Sequence, residues 1–234
     1  IGFRAAKTST TGDNLVAVGW RALDANSTAD NNTGVGAVSL YSNTTGANNT
    51  AVGRGSLQTN STADNNTALG YIALNLNTTG AQNVAVGSEA LDANTTASYN
   101  TAIGRSSLGV NTTGEMNTAV GSNSLDANTT GSYNTAAGVN ALGVSTTADN
   151  NTAFGRSALS DNSTGANNVA IGSLTLDANT TASNNTAVGT SSLGANTTGT
   201  DNVAVGASAL AANTTADDNT GLGRFALAAN TTGT

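Results

Sequence analysis

The chain has 234 residues, of which 37% are hydrophobic and 3% aromatic, too few for the thick core of one or two ordinary globular domains. Charged residues make up 9% and the formal net charge is −7, with only seven Lys and Arg along the whole length. That excludes the clustered basic surface a nucleic-acid partner requires, and the absence of Cys and His excludes disulfides and thiolate or imidazole metal sites. No apolar run approaches the roughly 20 residues that cross a bilayer, so no membrane insertion is expected within this segment.

Glycine marks a repeat. It stands at Gly2 and then at Gly19, Gly36, Gly53, Gly70, Gly87, Gly104, Gly121, Gly138, Gly155, Gly172, Gly189, Gly206 and Gly223, always 17 residues apart. Residues 1–234 are therefore expected to form a single array of about fourteen 17-residue coils, an internal window of a longer fibre. With this Gly as the fifth place, the unit from Asn117 reads Asn-Thr-Ala-Val-Gly-Ser-Asn-Ser-Leu-Asp-Ala-Asn-Thr-Thr-Gly-Ser-Tyr.

The places of the unit are informative in turn. Asn-Thr-Ala-Val-Gly reads as a short strand ended by a turn at the coil glycine, since Gly, Asn and Thr are poor helix formers. The fourth place is apolar throughout and the ninth is Leu in every unit but the first, which has Ala6. Val52, Leu57, Val120, Leu125, Val188 and Leu193 are accordingly expected in the core. The third place is always Ala or Gly, which suggests a neighbouring backbone packed on that face. The fold class that follows is all-β, a parallel β-solenoid or β-roll with one repeat per coil. Two buried apolar side chains offer little against the entropy of ordering a coil, so association of copies through the Ala face, as a homotrimer, is also expected.

Asn in the twelfth place opens an Asn-x-Thr sequon in twelve units: Asn26, Asn43, Asn60, Asn77, Asn94, Asn111, Asn128, Asn162, Asn179, Asn196, Asn213 and Asn230. Ser9 and Ser145 interrupt the series, and five further sequons begin at Asn31, Asn48, Asn65, Asn150 and Asn184. Two readings stand for the twelfth place: an acceptor for covalent N-glycans, or a turn residue whose amide stacks on the coil above. Thr fills the fourteenth place in every unit, from Thr11 to Thr232, and such a hydroxyl row raises ice binding as another class. Asp24, Asp92, Asp126 and Asp177 in the tenth place are expected as solvated surface, and Arg54, Arg105, Arg156 and Arg224 as corner residues pairing with neighbouring Asp. No calcium loop, phosphate loop or catalytic constellation is recognisable, so no cofactor, metal or enzymatic activity is expected.

The Asn-Thr-Ala-Val-Gly core followed by small residues resembles the head repeats of the YadA-like trimeric autotransporter adhesins. With Ala-Leu and Asn-Thr-Thr-Gly behind it, the unit is similar to arrays in phage tail fibres and related bacterial surface fibre proteins, over the whole chain. The resemblance implies a left-handed β-roll, three chains side by side, and a structural role on a cell or virion surface, as a rigid shaft or an adhesive head meeting a host receptor. The YadA-like unit is typically about 14 residues, and here the ninth-place Leu and the Asn-Thr-Thr-Gly turn enlarge it. An N-glycosylated extracellular filament that carries sugars is the alternative.

Overall fold

A computed structural model describes residues 1–233, and these contain strands and turns but no helix. The chain is a parallel β-solenoid with one 17-residue repeat per coil, and it divides into two compact units, Ile1–Met116 and Asn117–Thr234.

In the first unit the strands are β1 (Val16–Val18), β2 (Thr33–Val35), β3 (Thr50–Val52), β4 (Thr67–Leu69), β5 (Val84–Val86) and β6 (Thr101–Ile103). In the second they are β7 (Thr118–Val120), β8 (Thr135–Ala137), β9 (Thr152–Phe154), β10 (Val169–Ile171), β11 (Thr186–Val188), β12 (Val203–Val205) and β13 (Thr220–Leu222). Within each unit every strand pairs in parallel with the next in sequence, and the register is one whole repeat: Thr50 lies opposite Thr67, and Val169 opposite Thr186. Each strand covers the second to fourth places only.

The rest of the coil is held by backbone bonds that run to both neighbours. Gly36 N donates to Val18 O (2.7 Å) in the preceding coil, whereas Leu23 N donates to Ser39 O (3.0 Å) in the following one. This stitching needs backbone reversals. The fifth-place glycines with a described φ lie between 115° and 143°, and the seventh, ninth and seventeenth places take positive φ in coil after coil. Asn, which tolerates the left-handed region, occupies most of the seventeenth places, among them Asn31, Asn48 and Asn65. The ninth-place Leu pays the steric cost (Leu57, φ 48°) because the same turn aims its side chain inward, where it is fully buried.

The strand faces the opposite way from the sequence expectation. Leu57, Leu125 and Leu193 are fully buried, but Val52 and Val188 are only half-buried and Val120 is 39% exposed. It is the small third place, Ala51, Ala119 and Ala187, that points inside with no exposure. The physical reason is visible where this place is Gly: a Cβ on Gly34 would stand 3.2 Å from Leu23 Cγ and 3.1 Å from Ser39 Oγ. The ninth-place Leu of the preceding coil fills the interior up to the strand, so the third place is small because of Leu inside, not a partner chain outside. Association through an Ala face is therefore excluded, since that face is the core.

Candidate functional site

The twelfth-place amides form a column inside the coil. Asn43 Nδ2 donates to Asn26 Oδ1 (2.9 Å), Asn60 Nδ2 to Asn43 Oδ1 (2.8 Å), and Asn77 Nδ2 to Asn60 Oδ1 (2.9 Å). Each also donates to the carbonyl three residues on, as Asn60 does to Ala63 O (3.0 Å), which closes the turn over Ser61 and Thr62. First-place Asn makes a second column: Asn66 N donates to Asn49 Oδ1 (2.9 Å) and Asn49 Nδ2 to Ala63 O (2.8 Å). In the first unit two polar columns thus run beside the Leu column, the amides of Asn43, Asn60 and Asn77 being satisfied coil to coil as buried amides require.

This overturns the twelfth place as a glycan acceptor. Asn26, Asn43, Asn60, Asn77, Asn94, Asn111, Asn128, Asn162, Asn179, Asn196 and Asn213 have no exposure, so their Nδ2 atoms cannot carry a sugar in the folded coil. Asn230, in the last coil, is half-buried and donates to Gly233 O (2.8 Å). The sequence holds a signal that separates the two readings: where Ser9 and Ser145 replace Asn, no sequon exists, yet Thr11 and Thr147 remain. Thr in the fourteenth place is exposed from coil to coil and is retained independently of the sequon.

Ser145 is a break in the column. Its hydroxyl is buried without a hydrogen-bond partner, and Asn162 Nδ2 in the next coil donates to Gly165 O (2.9 Å) but to no amide oxygen behind it. Ser145→Asn would supply that acceptor and a donor to the turn. It should stabilise the second unit by about 1 kcal/mol, read as slower amide exchange around residues 145–165; exchange that is unchanged or faster would contradict the ladder.

The exposed sequons are those of the seventeenth place. Asn31, Asn48, Asn65, Asn150 and Asn184 are all solvent-exposed at positive φ, and Asn31 Nδ2 makes one surface bond, to Asn48 Oδ1 (3.2 Å).

The outer face of the strands is a second surface feature. Its two columns are the second place, Thr or Val, and the fourth, where Leu69, Ile103, Phe154 (52% exposed) and Ile171 stand out. No charged residue occupies either column in any strand.

One cluster departs from the repeat. Asp24 is only 3% exposed and is held by two guanidinium groups from the seventh place of successive coils: Arg21 Nε at 2.8 Å and Arg4 Nη2 at 3.1 Å. Arg21 Nη2 also donates to Tyr41 Oη (2.5 Å), and its guanidinium lies 4.5 Å from the Tyr41 ring centroid and 5.4 Å from that of Trp20. Asp24 was expected as solvated surface; the two guanidinium groups make its burial tolerable. Arg54 and Arg224, expected to pair with Asp, instead lie against the rings of Tyr71 and Phe225, at 5.7 and 4.3 Å. The sequence reading missed Arg4 and Arg21, although their 17-residue separation and Arg21–Asp24 spacing were there to be seen.

Burial pushes the Asp24 carboxyl up, but hydrogen bonds from Arg21 and Arg4 and their charges outweigh it and hold the group below its ordinary value of 3.8. Because the folded value is the depressed one, the stabilisation is complete above the ordinary value and is lost as pH falls through the folded one. Fluorescence of Trp20, the single Trp, should report loosening of this cluster below pH 3.8. Asp24→Asn should lack that acid-dependent step, and an identical acid profile in both proteins would contradict it.

Among the described residues no group of three or more His, Cys, Asp or Glu side chains could hold a metal ion. No protein-family model matches the chain, and no curated protein or solved structure shows significant similarity to it.

Proposed function

We propose that the chain is a structural segment of an extracellular or virion-surface fibre, a rigid spacer rather than a reactive centre. The observation that carries this reading is the buried Asn column, in which consecutive coils are joined by side-chain amides as well as by backbone bonds. Such an interior resists bending and gives each coil the same two neighbours, so length grows by adding repeats. Four further 17-residue units placed within the second unit should lengthen the particle by about 20 Å in small-angle scattering. A globule whose radius rises only with the cube root of mass would contradict the reading.

A fibre of thin coils gains from lateral association, and the outer strand face of the second unit supports it: two uncharged columns, with Phe154 and Ile171 among the exposed side chains. Self-association into a homotrimer through this face, in place of the Ala face, is the form proposed. Sedimentation equilibrium should give a mass near three times 22.7 kDa, reduced by Val188→Lys with Val205→Lys on the outer face. A monomer at every concentration would sink it.

The glycan-bearing filament is a second reading, and it now rests on the seventeenth place alone. Exposure of Asn31, Asn48, Asn65, Asn150 and Asn184 favours it, and secretion from a glycosylating host followed by intact mass is its test. A mass equal to the unmodified chain removes it.

A further inference from the structure

A repeat in which the coils are nearly equivalent can hold a specific ligand only where it departs from its own pattern. The sharpest departure in the first unit is the cluster around Asp24. Three coils contribute to it: Arg4 from the first, Trp20, Arg21 and Asp24 from the second, and Tyr41 and Ser42 from the third. Arg4, Thr8, Arg21, Asp24, Tyr41 and Ser42 line an open cleft of about 250 Å³.

The chemistry of this cleft is selective. Asp24 fixes both guanidinium groups from beneath, taking Nε and Nη2 of Arg4 (3.3 and 3.1 Å) and Nε of Arg21 (2.8 Å). That leaves Nη1 of Arg4 facing away from the carboxylate, and with two guanidinium groups against one carboxylate the cluster keeps one positive charge in a chain of net −7. Beside it the Trp20 side chain is 50% exposed, its ring already within cation–π distance of Arg21. Burying an aspartate to hold two arginines is costly where a fibre needs only stacking, and nothing in the repeat demands it. A flat, half-exposed indole beside preorganised guanidinium donors suits a ligand with a C–H-rich face and an anionic substituent. Nucleic acid is a poor fit, because one surplus charge cannot follow a phosphate backbone.

We propose that this cleft binds an acidic saccharide, its carboxylate on Arg4 within the cleft and a neighbouring sugar ring resting outside it on the exposed Trp20, next to Arg21. This goes beyond the spacer role: it gives the segment a recognition site at one place in the repeat, not along its whole length.

Trp20 makes the test direct, since it is the single Trp and its emission reports this site alone. The full chain is titrated with an oligogalacturonate, with a neutral malto-oligosaccharide and with acetate. A saturable change with the oligogalacturonate, weakened at least tenfold by Arg4→Ala, equivalent to about 1.4 kcal/mol, is expected. Calorimetry on Trp20→Ala should show a comparable loss while circular dichroism stays that of the parent, which separates lost stacking from lost folding. No saturable change, an equal response to the neutral oligosaccharide or to acetate, or binding that survives Arg4→Ala would overturn the site. Either result leaves the scattering test of the spacer role untouched.

Discussion

Gly53→Ala should disrupt the first unit outright, at a cost above about 4 kcal/mol, the range reached only when a substitution breaks a structural requirement. Gly53 sits at φ 133°, a conformation L side chains rarely adopt. A Cβ there would stand 2.1 Å from Gly70 O and 2.6 Å from Gly70 C in the next coil. Neither atom belongs to a flexible side chain, so relief requires the two coils to part, and Gly70 N would lose its 2.8 Å bond to Val52 O. The same chain provides its control. Gly194 lies in the tenth place, which other coils fill with Asp177 or Ala211, and the nearest atoms to its Cβ are 3.4 Å away. Gly194→Ala should be neutral or stabilise by about 0.5 kcal/mol through the unfolded chain. Amide exchange on both variants is the measurement, and comparable effects of the two would contradict the fifth-place constraint.

Asn60→Ala should cost about 3 kcal/mol, although Asn is ordinarily a tolerant surface residue. The change removes the bonds to Asn43 Oδ1 and Ala63 O and the acceptor of Asn77 Nδ2. Ala63 O keeps its bond from Asn49 Nδ2 and Asn77 Nδ2 keeps Gly80 O, so the largest single penalty is the buried Asn43 Oδ1 left without its donor. The loss should appear as local opening around the third and fourth coils, because coils depend chiefly on their neighbours. Asn65→Gly, at the exposed seventeenth place with φ 61°, should change stability by no more than about 0.5 kcal/mol. Similar exchange profiles for the two variants would mean the twelfth-place amide has no special interior role.

Much of the coil was legible in the residue string, and the part that was not has a definite cause. The 17-residue interval, the glycine turn and the inward Leu57, Leu125 and Leu193 follow from a phase that never slips. The strand parity was misread because alternation along three residues separates two faces without saying which is inside. Val120 looks like core beside Ala119 until Leu of the ninth place is seen to take the interior volume, after which only a methyl fits opposite it. The twelfth-place Asn was ambiguous because a sequon and a buried amide ladder ask for the same residue. Thr147 behind Ser145 could have decided it, since it outlasts the sequon. The Asp24 cluster is not legible in the repeat because Arg fills the seventh place in two coils only, at Arg4 and Arg21.

The central claim is that the regular Asn residues are the interior joint of the coil and not its decoration. Side-chain amide hydrogen exchange on an Asn-specific ¹⁵N-labelled sample tests this in one spectrum. Twelfth-place amides such as Asn43, Asn60 and Asn77 should exchange as slowly as the backbone of the strands, while the exposed Asn48 and Asn65 should exchange at the rate of free amides. A single fast-exchanging population would place all the Asn side chains in water and contradict the account.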